Sequence, residues 1–354
     1  MHHPDLCPGT PPEAVHMMRD PETGLEGVIV LHSTRLGPAA GGCRLWHYAD
    51  SAAATTDALR LAEGMAYKNA LADLPLGGGK AVIMRPPGDF DRVALFRAFG
   101  REVERLGGRY LTAEDVGTGV DDMRRVREET AHVAGLPVAA GAVGGDPSPW
   151  TALGVLRAME EAVRRRHGSG LSGARVAVQG LGHVGEQLAM LLAEAGARLV
   201  VTDLDPERAS AGAARLGAQL VAPDAILDVP CDVFAPCALG GVLDMKGVAR
   251  IQARIVCGAA NNVLANDACG RRLAERGVLY CPDYVVNSGG IINVCAEHLG
   301  WAKAEVERRV GETGHRLSTV LDHAAAHGID PHRAADRLAR ERMALHPSGS
   351  AQAA

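Results

Sequence analysis

The stretch that most restricts the fold of this chain is residues 174–203. ARVAVQ (174–179) is an apolar run bounded by turn residues and reads as a buried strand. It passes into Gly180-Leu181-Gly182-His183-Val184-Gly185 and then into a segment over 184–195 that reads as a helix. RLVVTD (198–203) reads as a second strand, ending in Asp203, 18 residues past Gly185. Glycines at these three positions permit a tight turn, close approach of a pyrophosphate to the backbone, and close packing of helix on strand. The helix N-terminus then offers unpaired N–H groups to the anion. Strand, loop, helix and an acid at the end of the next strand together predict a parallel α/β sheet that binds a dinucleotide through Gly180, Gly182 and Gly185. Asp203 is placed to accept hydrogen bonds from the adenosine ribose and to repel a 2′-phosphate, which favours NAD over NADP, with Leu204 beside it on the cofactor. His183 reads as an exposed turn residue.

A chain of 354 residues exceeds one ordinary domain. A change of composition at 135–150, GLPVAAGAVGGDPSPW, marks a hinge and divides the chain into a mixed α/β unit over 1–136 and a nucleotide-binding unit over 137–325. Apolar residues make up 47% of the sequence, enough for two cores. The net charge is −5, and the one basic run, Arg164 to Arg166, lies late in a predicted helix where cations suit the dipole, so neither nucleic acid nor a membrane surface is an expected partner. There is no signal-peptide pattern and no apolar run of spanning length. The eight cysteines (7, 43, 231, 237, 257, 269, 281 and 295) form no CxxC pair and no Cys/His metal spacing. They read as reduced thiols of a cytoplasmic protein, and no metal site is expected.

Two lysines stand where lysine is unexpected. Along a predicted helix over 51–72, Ala54, Ala58, Leu61 and Met65 recur at the spacing of one face, and Lys68 is the next position on it. Lys80 follows Gly77, Gly78 and Gly79 and precedes AVIM, a short buried strand. Two cations brought together in a desolvated pocket each disfavour the other's charge, and one of them can then serve as a base near neutral pH. The alternative is a lysine that snorkels from the helix end and a surface lysine after a loop. Residues 1–20 read as a loosely held start, GVIVLHS (27–33) and GPAAGGCRLW (37–46) as strand segments, 90–106 as a helix closed by Gly107-Gly108, and RYLTA (109–113) as a strand. Thr118 and Asp121 fit a helix-capping pattern. This leaves Glu114 and Asp115 at a strand's C-terminal end, where α/β proteins place chemistry; Glu114 reads as a solvated turn residue and Asp115 as the candidate.

Ser148-Pro149 suits the cap and first turn of a helix through 167. Further strands are expected at 231–236, 254–259 and 278–283, followed by Cys237-Ala238, by Ala260-Asn261-Asn262, and by Asn287-Ser288-Gly289-Gly290. Ligands of an open parallel sheet sit beyond the strands' carboxyl ends, so these clusters are the expected rim of the nicotinamide site. Ordinary turn chemistry is the competing account, stronger for Ser288 than for the asparagine pair. Two helices at 302–326 and 331–345 precede a tail, PSGSAQAA, expected to be disordered.

Taken together, GPAAGG, DALRLAEGMAYKNA, LPLGGGKAVI, TAEDVGT, DPSPWTALGV, VQGLGHVG, DVFAPCALGG, GAANN and YVVNSGG resemble, in order, the amino-acid dehydrogenases that act on leucine, valine and phenylalanine, with glutamate dehydrogenase more distant. The resemblance covers about residues 27–345 and is closest in look to leucine and valine dehydrogenases. It implies a homo-oligomer of two-domain subunits around a cleft, a mixed-sheet substrate domain onto which 326–354 fold back, and a Rossmann-type NAD-binding domain. It also implies reversible oxidative deamination of an L-amino acid to a 2-oxo acid and ammonia. By the same resemblance Lys68 grips the substrate carboxylate, Lys80 is the catalytic lysine, and Asp115 handles protons at the substrate amine. Asn262 lies near substrate and nicotinamide, Gly41 and Gly42 line the cleft, and Ser148 and Thr151 touch the cofactor. Ala40, Ala113, Ile291 and Val294 surround the substrate side chain, with no charge for a glutamate carboxylate. Leucine, valine or isoleucine is therefore the expected substrate, and phenylalanine the alternative. Cys43 departs from the threonine common in GGTR, and the N-terminal segment, often part of subunit contacts, is short. A non-catalytic NAD-binding sensor or assembly subunit would show erosion at Lys68, Lys80 or Asp115, and all three are present. A hydroxy-acid dehydrogenase would need a His/Arg/Asp constellation that the sequence does not offer.

Overall fold

The computed structural model describes residues 11–136, 143–238 and 240–345. Cys7, part of the expected hinge (137–142) and the tail PSGSAQAA lie outside the described residues. The chain divides into two compact units, one built on the residues up to Asp146 with Asn293–Lys303 and the chain from Ala339, the other on Pro147–Ile292 and Ala304–Leu338. The sequence pattern assigns 293–303 to the second unit. They join the first because the Glu297 carboxylate accepts the N–H groups of Gly135 (2.9 Å) and Leu136 (3.2 Å), and Asn293 accepts that of Gly144 (3.2 Å).

The first unit runs β1 (Ala14–Asp20), β2 (Leu25–Ser33), β3 (Ala39–Trp46), α1 (Ser51–Leu71), β4 (Gly77–Met84), α2 (Arg92–Arg105), β5 (Tyr110–Glu114) and α3 (Val120–Arg127). The strands form one mixed sheet in the order β1-β2-β4-β3-β5, with β3 parallel to both its neighbours and β2 antiparallel to both of its own. Alternation sends Val28, Val30 and Val82 against Ala54, Ala58 and Ala62 of α1, and sends Ile29, Leu31, Cys43, Ala81 and Ile83 against Leu95, Phe96 and Phe99 of α2.

Three local expectations change. The expected loose start contains the edge strand β1, whose inward His16 reaches Glu102 at 2.8 Å while Val15 and Met17 face out, so no apolar alternation marks it. The buried row of α1 is Ala54, Ala58, Ala62 and Ala66; Leu61, Met65 and Lys68 are only half-buried, about 100° round the helix. Alanines face the sheet because α1 lies so close that a Cβ on Gly78 would fall 2.1 Å from the Ala66 nitrogen. Thr118 is not the cap of α3: Gly119 is, its N–H bonded by Asp122 (2.9 Å) rather than by Asp121.

The second unit runs α4 (Ser148–His167), β6 (Arg175–Gln179), α5 (His183–Glu194), β7 (Arg198–Thr202), α6 (Pro206–Leu216), β8 (Gln219–Leu220), β9 (Val233–Pro236), α7 (Met245–Arg250), β10 (Ile255–Val256), α8 (Asp267–Glu275), β11 (Leu279–Tyr280) and α9 (Asp283–Val286). Its six strands are all parallel, in the order β11-β10-β9-β6-β7-β8, the Rossmann arrangement with the reversal between β6 and β9. Ser148 is the first residue of α4, with Pro147 in the cap position, one residue from the expected place. The chain closes with α10 (Gly289–Leu299), α11 (Lys303–Gly311), α12 (Thr313–His327) and α13 (Pro331–Ala344). The expected single helix at 302–326 is thus two. Among the described residues no helix is long and apolar enough to cross a membrane, and no disulfide joins the seven described cysteines.

Candidate active site

Gly78, Lys80 and Val82 alternate toward the α1 face of β4, and the Lys80 side chain is buried there at 6% exposure. Its Nζ lies 2.8 Å from Oδ2 of Asp115, the residue immediately after β5. The strand between them, β3, supplies Arg44, whose Nε donates to the same Oδ2 at 3.0 Å. Arg44 is held from behind: its Nη1 donates to Asp57 Oδ2 of α1 at 3.0 Å, an oxygen that also accepts the Tyr48 hydroxyl at 2.5 Å. Both cations thus meet at Asp115 Oδ2. Burial alone would raise the Asp115 carboxyl, but Lys80 and Arg44 outweigh it and bring it down to about 2.

The backbone is shaped to this cluster. The Asp115 N–H donates to Thr118 Oγ1 (2.8 Å), and that hydroxyl reaches the Cys43 carbonyl (2.9 Å), so Thr118 fixes the turn that carries the acid. A Cβ on Gly42 would sit 2.9 Å from Asp115 Cβ, and one on Gly41 would sit 1.9 Å from the Gly79 carbonyl. Both glycines are needed for β3 to lie between Lys80 and Asp115. Ala40 and Ala113 are buried in the same two strands, Gly42 opposite Ala113.

Lys68 occupies the last turn of α1, two residues past the Ala66 that rests on Gly78. Its neighbour Asn69 donates to the Gly77 carbonyl at 2.5 Å, tying the helix end to the glycine strand. Arg340 Nε donates to the Tyr67 hydroxyl at 2.8 Å, and Arg342 Nη1 caps the carbonyls of Ala70 and Leu71 at 3.1 Å each, a cation at the negative end of the helix.

In the second unit Gly180 follows β6 with φ +95°, and a Cβ on Gly185 would meet the Gly180 carbonyl at 2.0 Å. Nothing lies within 4 Å of a Cβ on Gly182, which caps α5 without a side-chain bond. That is an open cradle below unpaired helix N–H groups, and the residues present fit a dinucleotide pyrophosphate. Asp203 Oδ2 accepts the Leu181 N–H (2.7 Å) and Oδ1 that of Asp205 (2.9 Å), with Arg208 Nη1 3.4 Å from Oδ1. Burial opposes ionisation of Asp203, and these N–H groups with Arg208 hold its carboxyl below the usual value. Leu204 is largely exposed beside it. Cys237 and Ala238 follow β9 across the reversal, Ala238 Cβ 3.0 Å from where a Gly180 Cβ would be.

Asn262 is exposed with φ +52°, a conformation asparagine tolerates, and Asn287 braces the loop before it through the Asn261 side chain (2.8 Å) and the Ala259 carbonyl (3.1 Å). Gly289 and Gly290 let α10 begin against α4: a Cβ there would strike the Trp150 carbonyl (2.0 Å) and Thr151 Oγ1 (2.9 Å). Ser148 is buried at this junction. Ile291 and Val294, three residues apart on α10, are both half-buried. Ser288 is fully buried on the Val285 carbonyl (3.1 Å), a structural role. Among the described residues no three His, Cys, Asp or Glu side chains are grouped to hold a metal.

The structure thus brings Lys80 and Asp115 together and adds Arg44, which the sequence does not single out. The only hint was its place in GPAAGGCR, next to glycines already assigned to the site.

The family described as "Glu/Leu/Phe/Val dehydrogenase, dimerisation domain" matches residues 12–132, and that described as "Glutamate/Leucine/Phenylalanine/Valine dehydrogenase" matches 146–207 and 201–346. Leucine dehydrogenase of Thermoactinomyces intermedius is 46% identical over 334 residues, 94% of this chain and 91% of that protein. Phenylalanine dehydrogenase of Bacillus thermotolerans is 40% identical over 337 residues, 94% of this chain and 88% of that protein. The crystal structure of L-tryptophan dehydrogenase from Nostoc punctiforme superimposes with a TM-score of 0.83 at 39% identity, covering 95% of this chain and 97% of that one.

Proposed function

The chain belongs to the Glu/Leu/Phe/Val dehydrogenase family, and from that premise we propose that it catalyses the NAD-dependent, reversible oxidative deamination of leucine, valine or isoleucine to the 2-oxo acid and ammonia. That it is an amino-acid dehydrogenase follows from the family itself. The chemistry rests on one observation above all: a buried lysine in contact with an ionised carboxylate, Lys80 on Asp115. The aliphatic set Ala40, Ala113, Ile291 and Val294 and the likeness to leucine dehydrogenase support a branched-chain substrate.

Lys68 neutralises the substrate carboxylate. When bound at Gly180, Gly182, Gly185 and Asp203, NAD supplies the oxidant that takes the α-hydrogen with its electron pair. Lys80, having given up its proton to solvent, takes one from the water that adds to the substrate iminium. Asp115 takes the proton that the substrate amine releases before hydride transfer and returns it to the departing nitrogen, and the oxo acid and ammonium are left. Asn262, Ser148 and Thr151 hold cofactor and substrate in register, and exclusion of bulk water protects the iminium. The subunit is proposed to act as a homo-oligomer in the cytoplasm, in keeping with its matched dimerisation domain and the lack of a disulfide among its seven described cysteines.

A phenylalanine substrate is the second reading, because a side chain as small as that of Ala40 can admit a ring, and relatives that act on phenylalanine and tryptophan are 39–40% identical. The test is formation of NADH or NADPH from leucine, valine, isoleucine, phenylalanine, tryptophan and glutamate at alkaline pH. Highest kcat/KM for a branched-chain acid with NAD is expected. Preference for phenylalanine or tryptophan overturns the substrate assignment, and preference for NADP overturns the cofactor assignment.

A further inference from the structure

Arg44 is the second cation on Asp115, and it is fixed from two sides. It reaches Asp115 through Nε and Asp57 through Nη1, both at 3.0 Å, so three elements, β3, α1 and the end of β5, fix one guanidinium. A surface arginine between two acids contributes little; this pair is about one-fifth exposed on each side (22% and 21%) and shares its acceptor oxygen with Lys80. A buried ion pair limited to Lys80 and Asp115 has a way to lose its charges, since the lysine proton can pass to the carboxylate and leave both groups neutral. A second cation that cannot deprotonate closes that route.

We propose that Arg44 is a positioning residue that holds Asp115 as a carboxylate against burial, including when Lys80 has given up its proton, so that Asp115 stays free to take the proton the substrate amine releases. This rests on the amino-acid dehydrogenase reading of the site. The other groups around Asp115 do not substitute for Arg44. Cys43 of β3 and Tyr110 of β5 are held neutral by burial, which pushes both well above their ordinary values. Tyr48 is likewise pushed up by burial and by Asp57. Glu114 and Asp57 add negative charge, Arg92 is engaged by Asp122 at 2.7 Å, and Lys68 is assigned to the substrate carboxylate.

The test compares wild type with Arg44→Met, Arg44→Gln and Arg44→Lys. Loss of a cation at this distance should move the acid limb of kcat/KM for deamination to higher pH by about 1–3 units in the Met and Gln variants, while Arg44→Lys keeps it near wild type. A lower kcat with an unmoved acid limb makes Arg44 merely structural and overturns the proposal. The second readout needs no turnover: the carboxyl carbon of Asp115, followed by NMR with ¹³C-labelled aspartate, should titrate at higher pH in Arg44→Gln than in wild type. An unchanged titration overturns the proposal. If wild type oxidises no L-amino acid, the functional reading fails while the NMR comparison still decides the role of Arg44.

Discussion

Lys80 Nζ and Asp115 Oδ2 lie 2.8 Å apart, joining the middle of one strand to the residue just beyond another across the intervening β3. The spacing of the two lysines predicts a cationic neighbour for Lys80; the structure adds an anionic one, Asp115, with a second cation, Arg44, on the same oxygen. Lys68 remains on the same side of the sheet, at the end of the helix that rests on Gly78.

Removing Lys80 separates chemistry from cofactor binding. Lys80→Ala deletes the proposed base from the first unit, while the glycine loop and Asp203 belong to the second. Turnover should fall by at least about 10²–10⁴-fold, the usual contribution of general base catalysis, with NADH affinity unchanged by fluorescence titration. Near-normal deamination by the folded variant would remove Lys80 from the mechanism.

Asp115 also ties stability to pH. Its folded carboxyl, near 2, lies below the ordinary 3.8, so its contribution is present above about pH 4 and is lost as pH falls toward 2. The depression corresponds to about 2 kcal/mol. Urea unfolding at fixed protein concentration between pH 6 and pH 2.5 should show this loss in wild type and not in Asp115→Asn, which cannot titrate. Parallel pH profiles for the two proteins would contradict the pairing.

Much of the second unit was legible because its signals are local. Gly180, Gly182, Gly185 and Asp203 sit on one strand–loop–helix–strand unit, where a Cβ on Gly180 or Gly185 would meet neighbouring atoms at 2.0–3.0 Å and Gly182 opens onto free space. The Arg44–Asp115 bond spans 71 residues and obeys no helical or strand period, so nothing in the pattern could announce it. The bracing of α1 by Arg340 and Arg342 joins residues still farther apart, 273 and 272 positions from Tyr67 and Ala70. The face of α1 was misplaced for a different reason. Periodicity favours large apolar residues, whereas a helix packed on a glycine strand buries its smallest ones.

That close packing gives a paired prediction. A Cβ on Gly78 would lie 2.1–2.4 Å from the nitrogen, Cα and Cβ of Ala66, all rigid parts of α1, whereas one on Gly64 meets nothing within 4 Å. Gly78→Ala must push α1 away and should lose about 3 kcal/mol, with a raised KM because Lys68 moves with the helix. Gly64→Ala should gain up to about 1 kcal/mol from helix propensity. Equal stability of the two variants in urea would mean that α1 does not rest on β4 at Gly78.

Cofactor choice turns on Asp203. Its two oxygens already accept the N–H groups of Leu181 and Asp205, so it shapes the glycine loop in addition to its proposed role toward the ribose, and Arg208 lies beside it at 3.4 Å. Asp203→Ser retains one short acceptor but loses the charge. Hydrogen bonds to a charged group contribute about 1.5–3 kcal/mol, so NAD should bind roughly ten- to a hundredfold more weakly. NADP should improve relative to NAD for two reasons: the carboxylate that repels a 2′-phosphate is gone, and Arg208 loses one of its two acidic partners, keeping Asp205 at 3.1 Å. The double variant Asp203→Ser/Arg208→Ala separates these causes. Removal of repulsion alone leaves the NADP gain intact, whereas capture of the phosphate by Arg208 makes the gain vanish. Dissociation constants for NAD and NADP across wild type and both variants measure this directly, and a wild type that already prefers NADP would show that Asp203 does not face the ribose as assigned.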